Sequence, residues 1–195
     1  MSLLDMLRNQ MAGDATNQVS QQLGIGKAET EKAVGAALPT LMAALAGNAM
    51  KKEGASALSN ALDRDHDGSI LDDVAGFLGG GDNKPGDGIL KHVLGAKRGA
   101  VEAEVARETN LSPSAVSSLL PMLAPLIMGA LGREKRKGGL DVGGLAGLLS
   151  KEGQEARKAA PSGLSMLGAF LDQDGDGIGA DDIANAGKGI LGKLF

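Results

Sequence analysis

Two stretches of this chain carry aspartate at alternate positions followed by glycine: Asp63-Arg-Asp-His-Asp-Gly-Ser-Ile-Leu-Asp-Asp73 and Asp172-Gln-Asp-Gly-Asp-Gly-Ile-Gly-Ala-Asp-Asp182. Acids at positions 1, 3 and 5 with glycine at 6 make the first half of an EF-hand-type loop, where glycine permits the sharp turn that directs the carboxylates inward. The chemistry is capture of a hard divalent cation, calcium with magnesium as the alternative. In the first loop Asp63, Asp65 and Asp67 offer side-chain oxygens and Ser69 its carbonyl. Asp172, Asp174, Asp176 and the carbonyl of Ile178 take the same places in the second. Position 12, where an EF-hand puts a bidentate acid, is Val74 in one loop and Ile183 in the other. Acids stand instead at positions 10 and 11 in both. The expected closing ligands are therefore Asp73 and Asp182, with Asp72 and Asp181 as second candidates. An aspartate just before Val-Ala-Gly-Phe or Ile-Ala-Asn-Ala is also a good helix N-cap, so both roles stay open for the closing acids.

Other chemistries find little support. The absence of cysteine removes thiolate sites, disulfides and cysteine nucleophiles. His66 and His92 lack a partner pattern, and the 31 glycines include neither a nucleophile elbow nor a phosphate-binding loop. A non-enzymatic protein without a small-molecule substrate is expected. Residues 101–120 have the spacing of a helix-turn-helix, but their second helix offers no Arg, Lys, Asn or Gln to read bases. No nucleic-acid partner is expected, and a regulator of that type ranks third among the functional readings. The basic run Arg133-Glu-Lys-Arg-Lys137 could touch phosphates or acidic lipid, but the favoured reading is that it complements the negative end of the helix before it.

The elements that must position the loops are helical. Val34, Ala37, Leu38, Leu41, Met42 and Leu45 recur at three- and four-residue spacing, as do Val116, Leu119, Leu120, Leu123, Ile127 and Leu131. Each series predicts one long apolar helix with proline inside it, Pro39 in the first and Pro121 and Pro125 in the second, where the lost backbone bond predicts a kink. Shorter helices are expected at 2–11, 15–22, 54–62, 73–79, 88–95, 98–108, 141–150, 152–159, 162–171 and 182–192.

Residues 25–45 align without a gap on 111–131, and Gly54–Leu62 aligns on Gly163–Leu171, so the loops belong to a duplicated unit. The offset is 86 at the long helix and 109 at the loop, which places an insertion of 23 residues in the second copy. The expected architecture is an all-α bundle of two repeated helical units, each ending in an Asp-x-Asp-x-Asp-Gly loop. The first unit spans 1–80, a glycine-rich linker 81–87, and the second unit 88–195. The composition of Gly79-Gly-Gly-Asp-Asn-Lys-Pro-Gly-Asp-Gly88 reads as a flexible connector.

Ile89-Leu-Lys-His-Val-Leu-Gly95 followed by Asn110-Leu-Ser-Pro-Ser-Ala-Val-Ser-Ser-Leu-Leu-Pro-Met-Leu-Ala-Pro-Leu-Ile-Met-Gly-Ala-Leu131 resembles the bacterial YidB-like family, a domain of unknown function. Val19 to Leu45 resembles the same motif more loosely. The resemblance implies an all-helical bundle around one central helix and brings no catalytic residues. The aspartate loops are similar to those of dockerin modules.

Composition fits a soluble protein of 195 residues, 43% hydrophobic and 23% charged, but aromatics are only 2%. Leu, Ala, Met, Ile and Val must fill the core, which implies closely approaching helices. The N-terminus lacks the hydrophobic region of a secretory signal, and the apolar run Leu119–Leu131 is shorter than a membrane span. A cytoplasmic protein with no membrane span is expected. Ten of the 24 acids lie in the two loops, leaving 14 against 20 bases. Two divalent ions would bring the formal charge from -4 to 0, a condition that favours association. Calcium binding that orders the loop-flanking helices is the leading expectation. A self-assembling homo-oligomer with metal as staple or trigger is the alternative.

Overall fold

The computed structural model describes residues 2–81 and 84–160, and among these the chain is all-helical without strands. The helices are α1 (Leu3–Gln10), α2 (Asp14–Leu23), α3 (Lys27–Met50), α4 (Lys52–Asp65), α5 (Val74–Gly79), α6 (Lys84–Val93), α7 (Arg98–Thr109), α8 (Pro113–Gly138) and α9 (Val142–Ala159). Short 3-10 turns at Ser69–Asp72 and Gly95–Lys97 join α4 to α5 and α6 to α7. The expected helices at 162–171 and 182–192 lie outside the described residues.

The apolar period of the sequence does what it predicts at α3 and α8. Ala37, Leu38 and Met42 of the first and Leu119, Leu120, Leu123 and Leu131 of the second are sealed from solvent in a single core. From Leu119 to Gly132 every residue of α8 is buried, and α1, α2, α3, α4, α6 and α7 all pack on it. The two long helices have 24 and 26 residues, and both are long and apolar enough to cross a membrane. Their apolar windows are 67% and 89% buried among neighbouring helices.

Helix ends follow local chemistry. Ser112 accepts from the amide of Ala115 and Pro113 opens α8, where its missing N–H has no intrahelical partner to lose. Gly24 ends α2 and Asn110 ends α7, both left-handed, and in each case the next amide reaches back five residues, Ile25 to Ser20 and Leu111 to Ala106. The 86-residue offset of the sequence alignment carries one ending onto the other.

Two stretches depart from the sequence reading. The connector assigned to 81–87 turns helical at Lys84, so Pro85 and Gly86 belong to α6 rather than to a flexible linker. Pro85 sits in the first turn, where a missing N–H is tolerated, and buried Gly86 makes close packing against α8 feasible. The helices expected at 141–150 and 152–159 are one continuous helix, α9. It packs along α3 with Gly153 against Ala46, where a Cβ would come within 2.5 Å of the alanine methyl. α9 also supplies Glu152, buried, whose carboxylate accepts a 2.9 Å hydrogen bond from the amide of Leu3 at the start of α1. That amide is one of the donors a helix cannot satisfy internally, and the carboxylate meets the positive end of the helix dipole.

The approach of α6 to α8 has a specific cause. Pro125 has no N–H to give to the carbonyl of Pro121, four residues back, so that oxygen has lost its intrahelical donor. Gly86 fills the space above it, and a Cβ on residue 86 would stand 1.8 Å from the Pro121 oxygen. A polar seam lies beside this contact. Arg98 pairs with Asp87 of α6 at 2.7 Å and with Glu102 at 2.6 Å, and Glu102 accepts from the hydroxyl of Ser117 on α8.

Replacing Gly86 by Ala is expected to destabilise the protein although alanine is the better helix former. The propensity gain is about 1 kcal/mol, while pushing backbone from backbone costs about 1–3 kcal/mol in a packed core and carries further helix displacement with it. A urea denaturation midpoint lower than wild type checks this; an increase would show that α6 does not lie on the Pro121 carbonyl.

Candidate functional site

The first aspartate loop folds against the C-terminal third of α8. Asp63 lies in the last turn of α4 and Asp65 is its final residue; Asp67 follows, and Ser69 opens the 3-10 turn. Gly68, at loop position 6, is buried with φ +84°, the left-handed conformation that the motif reserves for glycine. A Cβ there would also meet the Arg133 Cβ at 2.8 Å, so both backbone and space require glycine. The residue that follows α4 comes closer still to α8: a Cβ on Gly132 would stand 1.8 Å from the carbonyl oxygen of His66.

Each loop carboxylate has its own partner. Asp63 Oδ1 lies 2.5 Å from Lys135 Nζ, and this lysine, only 8% exposed, also faces the Ser59 carbonyl at 3.4 Å. Arg64 pairs with Asp65 at 3.0 Å on the open surface. Asp67 Oδ1 accepts from both the amide and the hydroxyl of Ser69. Those bonds, the hydroxyl first, hold its carboxyl below the usual range, and Arg136 adds a weaker attraction. Arg133 donates to the Gly68 carbonyl at 2.6 Å and to Asp72 at 2.5 Å. Asp73 Oδ1 accepts from the amide of Gly76 at 2.8 Å and caps α5, which begins at Val74 as an apolar position 12 predicts.

The carboxylates of Asp63, Asp65, Asp67, Asp72 and Asp73 are thus all exposed on one short loop, yet they point to separate partners. Among the described residues no three His, Asp or Glu side chains converge closely enough to hold an ion. The donor set is all hard oxygen with glycine at the turn, which fits calcium chemically. Two members, Asp63 and Asp72, are already paired with cations of α8. Asp172, Asp174, Asp176, Ile178 and Asp182 lie outside the described residues.

The sequence favours the helix end as the role of Arg133–Lys137, with phosphates or acidic lipid as the other reading. Three of its members serve the loop: Arg133 and Lys135 pair with its acids and Arg136 attracts Asp67, while Lys137 pairs with Glu134 on its own helix. The complementary charge of the loop and the basic run was visible in the sequence, but 72 residues separate Lys135 from Asp63 and nothing local joins them. The second helix of the helix-turn-helix spacing is α8 itself, buried as the core of the bundle.

The bundle of helices around one buried central helix defines an all-α protein. The model of a family described as bacterial protein of unknown function (DUF937) matches residues 5–134, two-thirds of the chain. The chain belongs to that family, in keeping with its YidB-like resemblance. No curated protein and no solved structure matches it.

Two outcomes are expected from the loop geometry. Asp73→Ala removes the cap of α5 and costs about 1 kcal/mol of stability in chelator, read from urea denaturation; no change would mean that the Gly76 bond is not formed. His66 is held below the ordinary imidazole value because partial burial penalises its charged form, with Asp65 pulling weakly the other way. Its unfolded state therefore binds a proton more readily than its folded state, so stability falls as pH drops through the ordinary imidazole value. Urea midpoints from about pH 7.5 to about pH 5.5, around the histidine pKa, should decline in wild type and flatten in His66→Gln.

Proposed function

We propose that this protein is a non-enzymatic calcium-binding helical bundle, in which the cation orders the loop and the helices on either side of it. The observation that carries the reading is the repeated Asp-x-Asp-x-Asp-Gly pattern, supported at Gly68 by the left-handed turn that such a loop needs. Five exposed carboxylates within 11 residues repel one another, and a divalent ion relieves that repulsion more completely than single-charge partners do. Asp63, Asp65, Asp67 and the carbonyl of Ser69 would hold the ion in the first loop. Asp73 would close the sphere while its other oxygen keeps the cap of α5. Asp172, Asp174, Asp176, the Ile178 carbonyl and Asp182 are proposed for a second ion. Magnesium is the alternative occupant, disfavoured by its demand for strict octahedral geometry.

Isothermal calorimetry on the full chain tests this directly. Wild type is expected to take two calcium ions, and Asp63→Ala combined with Asp172→Ala none. Calcium at a hundredfold excess over the dissociation constant should stabilise the fold by about 2.7 kcal/mol per site. A chelated protein whose melting temperature does not move on adding calcium would reject the reading.

A further inference from the structure

The first loop is bound to α8 through two cations, one paired with Asp63, a proposed metal ligand, and one with Asp72, the second candidate for closing the sphere. Lys135 is nearly buried, and its ammonium has Asp63 Oδ1 at 2.5 Å and the Ser59 carbonyl at 3.4 Å. A buried ammonium without a carboxylate is costly, so Lys135 holds Asp63 firmly even though Asp63 itself is largely exposed. Arg133 does the same at the other end of the loop, with one guanidinium nitrogen shared between the Gly68 carbonyl and Asp72. Lys137, two residues on, turns away to Glu134.

Resting on the calcium reading of this loop, we infer that Lys135 and Arg133 are intramolecular competitors of the divalent cation, which lower the affinity of residues 63–73 for metal. Lys135 engages only Oδ1 of Asp63 and leaves Oδ2 for an ion, but an ammonium at 2.5 Å repels a divalent cation and draws on the charge that the cation would use. The affinity of the loop is therefore set by the end of α8 as much as by the loop's own acids.

The test is calcium titration by calorimetry of the full chain carrying Asp172→Ala and Asp174→Ala, which leaves the first loop as the titrated site. Lys135→Met is expected to tighten calcium binding about fivefold, the scale of one partly exposed ion pair. Lys135→Gln, a polar replacement that guards against misfolding of the first variant, should act in the same direction. Arg133→Gln is expected to tighten binding about twofold, since Arg133 is the more exposed of the two cations. Lys137→Gln makes the same change in net charge without touching the loop, and should leave the affinity unaltered. Unchanged or weaker binding in both Lys135 variants overturns the competition while leaving calcium binding itself intact, and so does equal tightening by Lys137→Gln. If no variant and no parent binds calcium, the calcium reading falls and the competition falls with it.

Discussion

Helix α8 can sit at the centre of this bundle because other backbones come almost into contact with its own. Aromatic rings normally bridge the gaps between helices in a core, and among the described residues the single Phe is half-buried Phe77. Helices separated by leucine and alanine alone must come closer, and at Gly86 and Gly132 the partner of a Cα is a carbonyl oxygen. The prolines of α8 make one such contact favourable. Removing the donor to the Pro121 carbonyl exposes an acceptor that weak C–H···O contacts with a neighbouring backbone can partly satisfy. Both α6 and the aspartate loop use this short reach on α8.

The same helix changes character along its length. Its middle is sealed and apolar, while its last turns carry Arg133, Lys135 and Arg136 toward the acids of the loop. A helix C-terminus already favours positive charge, so these cations are comfortable there even before the loop arrives. The loop gains neutralising partners and the helix gains compensation for a buried lysine. Loop and helix end therefore stabilise each other, and the carboxylate spacing of the motif alone does not describe the state of the loop.

Much of the fold was legible in the sequence, for reasons that differ between elements. The period of α3 and α8 is strong because each is buried through most of its length, and their ends at Gly26, Ser112 and Gly139 carry recognisable cap residues. Gly24 and Asn110, at equivalent places in the aligned halves, end their helices by the same left-handed turn. What composition obscured was where glycine serves packing and where it breaks a helix. Gly86 and Gly153 lie inside helices because a neighbour occupies the space of their missing side chains, a fact of tertiary structure. At the candidate site the turn at Gly68, the start of α5 at Val74 and the capping role open to Asp73 were readable from local pattern. The Lys135–Asp63 and Arg133–Asp72 pairs were not, since they join residues 72 and 61 positions apart.

One contact has a temporal side. The amide of Leu3 is completed by Glu152, 149 residues further along, on a helix that lies beyond the family-matched segment 5–134. During synthesis at about 5–20 residues per second, that first turn waits roughly 7–30 s for its partner to be made. Through that interval α3 also lacks α9, the helix that covers it, and a long apolar surface stays open on the nascent chain. Closure of the bundle is thus a late event in the life of each molecule, set by the ribosome rather than by the speed of helix formation.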